Sequence, residues 1–151
     1  MTLVIGFGNP LRGDDAAGPA VARAAGLTRP DVTVLTPHQL LPEFAPEVAA
    51  ADTVVFIDAA TDVPAGDVRC QAVDPSATAR LDHVLSPAAL VGLGLAAFGH
   101  APHAWLVEIG AASFDVGTAL TPAVTEALPR AVELVRTLLT PVQLPGAVSP
   151  I

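Results

Sequence analysis

Three residues in this chain are of types that do chemistry together: the carboxylates Asp15 and Asp58 and the imidazole of His83. Asp15 closes the acidic pair Asp14-Asp15 behind a glycine-containing turn. Asp58 ends the apolar run Thr-Val-Val-Phe-Ile-Asp, and His83 lies just ahead of Ser86-Pro87. A carboxylate ending an apolar strand is costly to bury without compensation, which makes it a functional candidate as well as a turn former. Two carboxylates and one imidazole make an oxygen- and nitrogen-rich divalent site with room for an outside ligand. Nickel, zinc, cobalt and manganese all suit such a set. Without a metal, Asp15 and Asp58 form an aspartic pair that must share a proton, driving their pKa values apart. Asp82, beside His83, is placed either to orient the ring or to face water.

Competing chemistries find less support. Gly6-Phe7-Gly8 follows an apolar run as a dinucleotide fingerprint would, but the next glycine is Gly13, off the required spacing. Asp14 and Asp15 stand where a helix N-terminus, carrying about half a unit of positive charge, would receive phosphate. Two carboxylates there repel it. One acidic residue suffices to cap the helix, worth roughly 1 kcal/mol; Asp14 is expected in that role, freeing Asp15 for the loop crest. There are seven arginines and no lysine, which removes a P-loop lysine, a Schiff base and a serine–lysine dyad. No Gly-x-Ser-x-Gly elbow or His-Glu-x-x-His helix is present. Cys70 falls within an expected edge strand, and His100 and His103 in an expected loop.

The elements that must position these residues follow from local pattern. Strands are expected at 2–7, 32–35, 53–58 and 104–109, with a half-exposed edge strand at 67–73. Helices are expected from Asp14 or Asp15 to about Ala25, over 42–51, over 86–98 with Ser86 as N-cap, and over 121–139. Apolar strands alternating with helices argue for an α/β fold. The expected architecture is a three-layer α/β/α sandwich with a mostly parallel twisted sheet of about five strands and an antiparallel edge strand. Ligands in such sheets collect beyond the carboxyl ends of the strands. The loops at that edge, 8–15, 58–62, 78–87 and 110–122, hold Asp15, Asp58 and His83.

A chain of 151 residues, 52% of them apolar, suits a single domain with one buried core, expected over residues 1–140. From Pro141 the sequence is uncharged and proline-punctuated, so 141–151 reads as a loose tail. The net charge of −8 argues against nucleic acid as a partner. No apolar run has the length of a membrane span, and the N-terminus lacks the parts of a signal peptide. One cysteine cannot form an internal disulfide. A cytoplasmic, monomeric protein is expected.

The segment Gly6-Phe7-Gly8-Asn9-Pro10-Leu11-Arg12-Gly13-Asp14-Asp15, followed by Gly18-Pro19, resembles the N-terminal signature of the hydrogenase maturation proteases. His38-Gln39-Leu40 with Pro42-Glu43, Val55-Phe56-Ile57-Asp58-Ala59, His83 with Leu85-Ser86, Glu108-Ile109-Gly110, Ser113-Phe114 and Leu120-Thr121-Pro122 are similar to the family's later blocks, in order, over about residues 2–138. The resemblance implies an endopeptidase that removes the C-terminal extension of a nickel-containing hydrogenase large-subunit precursor after nickel insertion. By residue-for-residue match, the family's metal-contacting positions are Asp15, Asp58 and His83, and the nickel belongs to the substrate. A non-proteolytic escort that binds the metal or the hydrogenase subunit is the alternative.

Overall fold

The structure, a computed structural model, describes residues 1–27, 29–76 and 85–140. Five strands form one sheet: β1 (Thr2–Gly6), β2 (Val32–Leu35), β3 (Thr53–Ala60), β4 (Val68–Ala72) and β5 (His103–Gly110). Their spatial order is β2-β1-β3-β5-β4, with every pairing parallel except β4 against β5. The antiparallel edge strand is the one whose alternating sequence marks it as half-exposed. β1 and β3 lie inside the sheet and are almost wholly buried and apolar, the pattern of strands covered on both faces.

Helices α1 (Ala17–Gly26) and α4 (Pro122–Leu139) cover one face, and α2 (Ala45–Ala50) and α3 (Pro87–Phe98) the other. Along α4 the buried residues Val124, Ala127, Ala131, Val135 and Leu139 recur every three or four positions, an apolar stripe that seats the helix on the sheet. Ser86 caps α3 through its hydroxyl, which accepts from the Ala89 amide at 3.1 Å, and Pro87 follows at the first helical position. This is the expected three-layer α/β/α sandwich. The structural account of His83, Asp82 and the tail 141–151 lies outside the described residues.

Two boundaries differ from the sequence expectation in ways that shape the site. β3 runs two residues past Asp58, because Ala59 and Ala60 continue the ladder with Ile109 and Gly110. β1, however, stops at Gly6, opposite Ile57. Asp58 is therefore the first β3 residue beyond the end of β1. His103, expected in a loop, starts β5 opposite Thr53.

The chain leaves β1 toward β2 on one side, and β3 has β5 on the other. The β1–β3 junction is thus the topological switch point, where loops part and leave a crevice. α1 begins hard against this junction. A Cβ at Gly18 would lie 2.6 Å from the Ile57 carbonyl oxygen and 2.7 Å from that of Phe7. Real Cβ atoms do not approach that closely, so glycine is what lets the helix start touch both strand ends. Gly18→Ala is expected to destabilise the fold by about 1–3 kcal/mol through overpacking. Urea unfolding tests this; a variant as stable as the wild type would mean that α1 can shift without cost.

Candidate functional site

Asp14 and Asp15 lie in a single 3-10 turn, Gly13–Ala16, that leads into α1. The turn places their side chains in opposite circumstances. Asp14 is fully buried, and its carboxylate does not cap α1 as expected. It reaches instead to the connection between β5 and α4. One oxygen accepts from the Ala112 amide at 2.8 Å and the Ser113 amide at 3.1 Å; the other accepts from the Thr121 amide at 2.7 Å. The Thr121 hydroxyl donates to the same carboxylate at 2.9 Å. Burial works against the charge, but the donors from Thr121, Ala112 and Ser113 outweigh it and hold the carboxyl below its usual pKa. The expected cap is overturned because these amides offer far more than a helix start does. The Asp14 amide in turn donates to the Ser113 carbonyl at 2.9 Å.

Asp15 is half-buried and faces the crevice. One of its oxygens accepts from the Asn9 amide at 2.6 Å, which fixes the carboxylate against the loop leaving β1. Gly8 makes room for it: φ is +148°, and a Cβ there would lie 2.0 Å from the Asp15 carbonyl oxygen. The loop is held on both sides, by the Phe7 amide to the Ile57 carbonyl and by the Gly8 amide to the Pro37 carbonyl, each at 3.1 Å. The glycines of this turn thus bring a carboxylate close rather than a phosphate.

Asp58 is half-buried at the end of β1, on the sheet face covered by α2 and α3. Its carboxyl is pushed up to about 7, first by burial and then by the negative charges of Asp15 and Glu108; a hydrogen bond from the Ala59 amide opposes this only in part. Asp15 and Asp58, chosen separately from sequence, therefore sit close enough to feel each other. Glu108 is Asp58's register partner on β5, and Arg69 is Glu108's partner on β4, so three charges form a row across the sheet. Arg69 donates to Glu108 at 2.7 and 3.0 Å, and Gln71 at 3.2 Å. Glu108 is buried yet satisfied, whereas Asp58 has no cation beside it among the described residues.

Sequence reasoning named Glu108 only within a family-like block, with no role, and did not name Arg69. The available signal was a glutamate near the end of an apolar strand, the same reason that marked Asp58. Among the described residues no three His, Cys, Asp or Glu side chains gather into a metal-holding group. The donor chemistry of Asp15 and Asp58 nevertheless fits a divalent ion: two carboxylates, mutually repelling, with Asp58 lacking a cation. Cys70 is exposed on β4, and burial of its sulfur raises the thiol pKa, which disfavours it as a nucleophile.

No protein-family model matches the chain, and comparison with curated proteins found no match. Solved structures are similar. The hydrogenase maturating endopeptidase HybD from E. coli superposes with a TM-score of 0.75 at 26% identity, over 91% of both chains. The chain shares its fold with the hydrogenase maturation endopeptidases. The [NiFe] hydrogenase maturation protease HycI from Thermococcus kodakarensis KOD1 has a TM-score of 0.72 at 23% identity, again over 91% of both chains. A hydrogenase 2 maturation peptidase from Thaumarchaeota archaeon SCGC_AB-539-E09 has a TM-score of 0.66 at 24% identity, over 91% of this chain and 97% of that one. The likeness to the maturation endopeptidases read from sequence blocks thus extends to strand order and layers.

Two measurements probe these carboxylates. Asp14→Asn, which turns an acceptor-only group into one that must face donors, is expected to cost about 1.5–3 kcal/mol at neutral pH. Because the native carboxyl has the lower pKa, its contribution is present above the unfolded value and is lost as pH falls. The gap to wild type should therefore narrow below about pH 4. A constant gap down to pH 3 would contradict this account. Asp58 has the opposite sign. Its native pKa is raised, so the folded state holds a proton that the unfolded state gives up, and stability falls as pH rises from about 4 to about 7. Asp58→Asn is expected to melt higher than wild type at pH 8, with the difference vanishing near pH 4. An Asn variant less stable at pH 8 would show that the ionised carboxylate is compensated.

Proposed function

We propose that this protein is an endopeptidase that removes the C-terminal extension of a nickel-containing hydrogenase large subunit once nickel is in place. The observation that carries the reading is the placement of Asp15 and Asp58 at the β1–β3 junction of this fold, with Asp58 raised first by burial and then by the charge of Asp15. Asp15, Asp58 and His83 are proposed to contact the nickel that the precursor presents, so the metal arrives as part of the substrate. Other divalent metals suit the same donors. The protein is proposed to act as a monomer in the cytoplasm; no helix among the described residues is long and apolar enough to cross a membrane.

The residues of this chain supply position and proton transfer. The Asn9 amide fixes one oxygen of Asp15, whose side chain lines the cleft beside it. A carboxylate beside the scissile bond is suited to taking a proton from an attacking water and returning it to the leaving amine, and Asp58 is assigned that role. Nickel in the precursor would polarise the scissile carbonyl or the water. The endopeptidase is proposed to wait for it, because two uncompensated carboxylates favour a partner that brings positive charge.

Intact-mass spectrometry of a large-subunit precursor, nickel-loaded and nickel-free, tests this. Loss of a defined C-terminal peptide in the loaded sample alone is expected. Asp15→Asn should keep the fold and abolish that loss; full cleavage by this variant would remove Asp15 from the mechanism. Stable binding of the loaded precursor without cleavage would replace the endopeptidase by an escort.

A further inference from the structure

Beside Asp15 an open cleft of about 610 Å³ runs between two walls. Asn9, Arg12 and Asp15 form one, and the segment that follows β2, from Pro37 to Phe44, forms the other. Its volume lies within the range of specific ligand sites. None of the steps above uses the cleft beyond Asn9 and Asp15.

Arg12 sets it apart. The guanidinium groups of Arg23, Arg29, Arg69, Arg130 and Arg136 each donate to an oxygen of this chain. That of Arg12 bonds none among the described residues, although Asp15 and Glu43 line the same cleft. In a protein of net charge −8, a free guanidinium among carboxylates is not there for want of internal partners. Its backbone is also fixed. The Arg12 amide donates to the Asn9 carbonyl and the Asp15 amide to the Arg12 carbonyl, each at 3.1 Å. The Asn9 side chain accepts from the Leu11 amide at 2.9 Å, and the Leu11 carbonyl accepts from Gly117 at 2.8 Å. A guanidinium held at its root and free at its tip presents a planar fork that matches a carboxylate. Across the cleft, Leu41 and Phe44 offer apolar surface, and Gln39 an amide able to pair with peptide backbone.

We propose that this cleft holds the segment of the partner polypeptide that runs past Asp15, and that Arg12 takes a carboxylate of that segment. The inference rests on the endopeptidase reading and adds the substrate feature that the enzyme recognises. The carboxylate comes either from an acidic side chain of the extension or from the chain's C-terminus. A segment without one leaves the guanidinium unpaired and gains less from the cleft.

The test is steady-state cleavage of nickel-loaded precursor by the wild type, Arg12→Gln and Arg12→Lys, followed by intact mass, with each variant's melting temperature measured alongside. Three precursors are compared: unmodified, with the acidic residues of the extension changed to amides, and with a C-terminal amide made by ligation. Loss of a charge-assisted hydrogen bond should raise KM for Arg12→Gln about ten- to a hundredfold, the loss lying in KM rather than kcat. Arg12→Lys, keeping charge without the fork, should fall between, and it answers the question if Arg12→Gln melts early. The precursor that lacks the recognised carboxylate should show the raised KM with wild type and no further loss with Arg12→Gln, which also names the source. An unchanged KM for Arg12→Gln, or losses that multiply when both partners are removed, would overturn the assignment while leaving the endopeptidase intact. If the wild type cuts no loaded precursor, the functional reading fails and this inference with it.

Discussion

The site is built around a carboxylate that faces away from the crevice. Asp14 is wholly inside the protein, where an ionised group without partners would be prohibitive. Three amides and a hydroxyl from the stretch between β5 and α4 remove that difficulty. Because the donors come from about a hundred residues further along the chain, the bond set acts as a clamp between two loops rather than as a local turn. It fixes the 3-10 turn, and the turn fixes where Asp15 emerges. The acidic pair is therefore a division of labour: the first carboxylate is spent on structure so that the second can face the crevice with one amide bonded and an oxygen left over.

The row Asp58–Glu108–Arg69 applies the same accounting to the sheet. At the buried end of β5, Glu108 is stable because Arg69 and Gln71 donate to it from the edge strand. Asp58, one strand further in, is beyond such help: burial and two negative neighbours raise it, opposed in part by the Ala59 amide. Its raised pKa follows from position: it is the β3 residue that emerges where β1 ends, at the one junction where strands part.

Much of this was legible in the sequence, for identifiable reasons. Strands β2 and β3 and the N-cap of α3 could be read because β-branched runs and Ser86-Pro87 act locally. Asp15 and Asp58 could be read because carboxylates at strand exits are rarely idle. Asp14 could not, since its donors at Ala112, Ser113 and Thr121 are contributed by tertiary structure alone; a local rule assigns it to the nearest helix. Glu108 was passed over for a similar reason. Its neighbours in sequence are apolar, and its partners arrive from β4 through register. Arg12 stood in the N-terminal signature block without a role of its own, because being unpaired is a property of the folded surroundings.

The glycines of Gly6-Phe7-Gly8 connect these points to the choice of ligand. In a phosphate loop, such residues let backbone amides crowd an anion. Here Gly6 and Gly18 let α1 press onto the strand ends, and Gly8 admits the backbone of Asp15. The turn that leads into α1 thereby carries carboxylates of its own, and the local field turns negative. A neutral peptide entering alone would have to strip water from Asp15 and leave Asp58 torn between protonation and repulsion. A cation entering with the peptide reverses both terms: it favours ionisation of Asp58 and turns the repulsion between the carboxylates into shared attraction. On the proposed function, this geometry would favour a substrate that carries its metal, and the checkpoint would need no moving part.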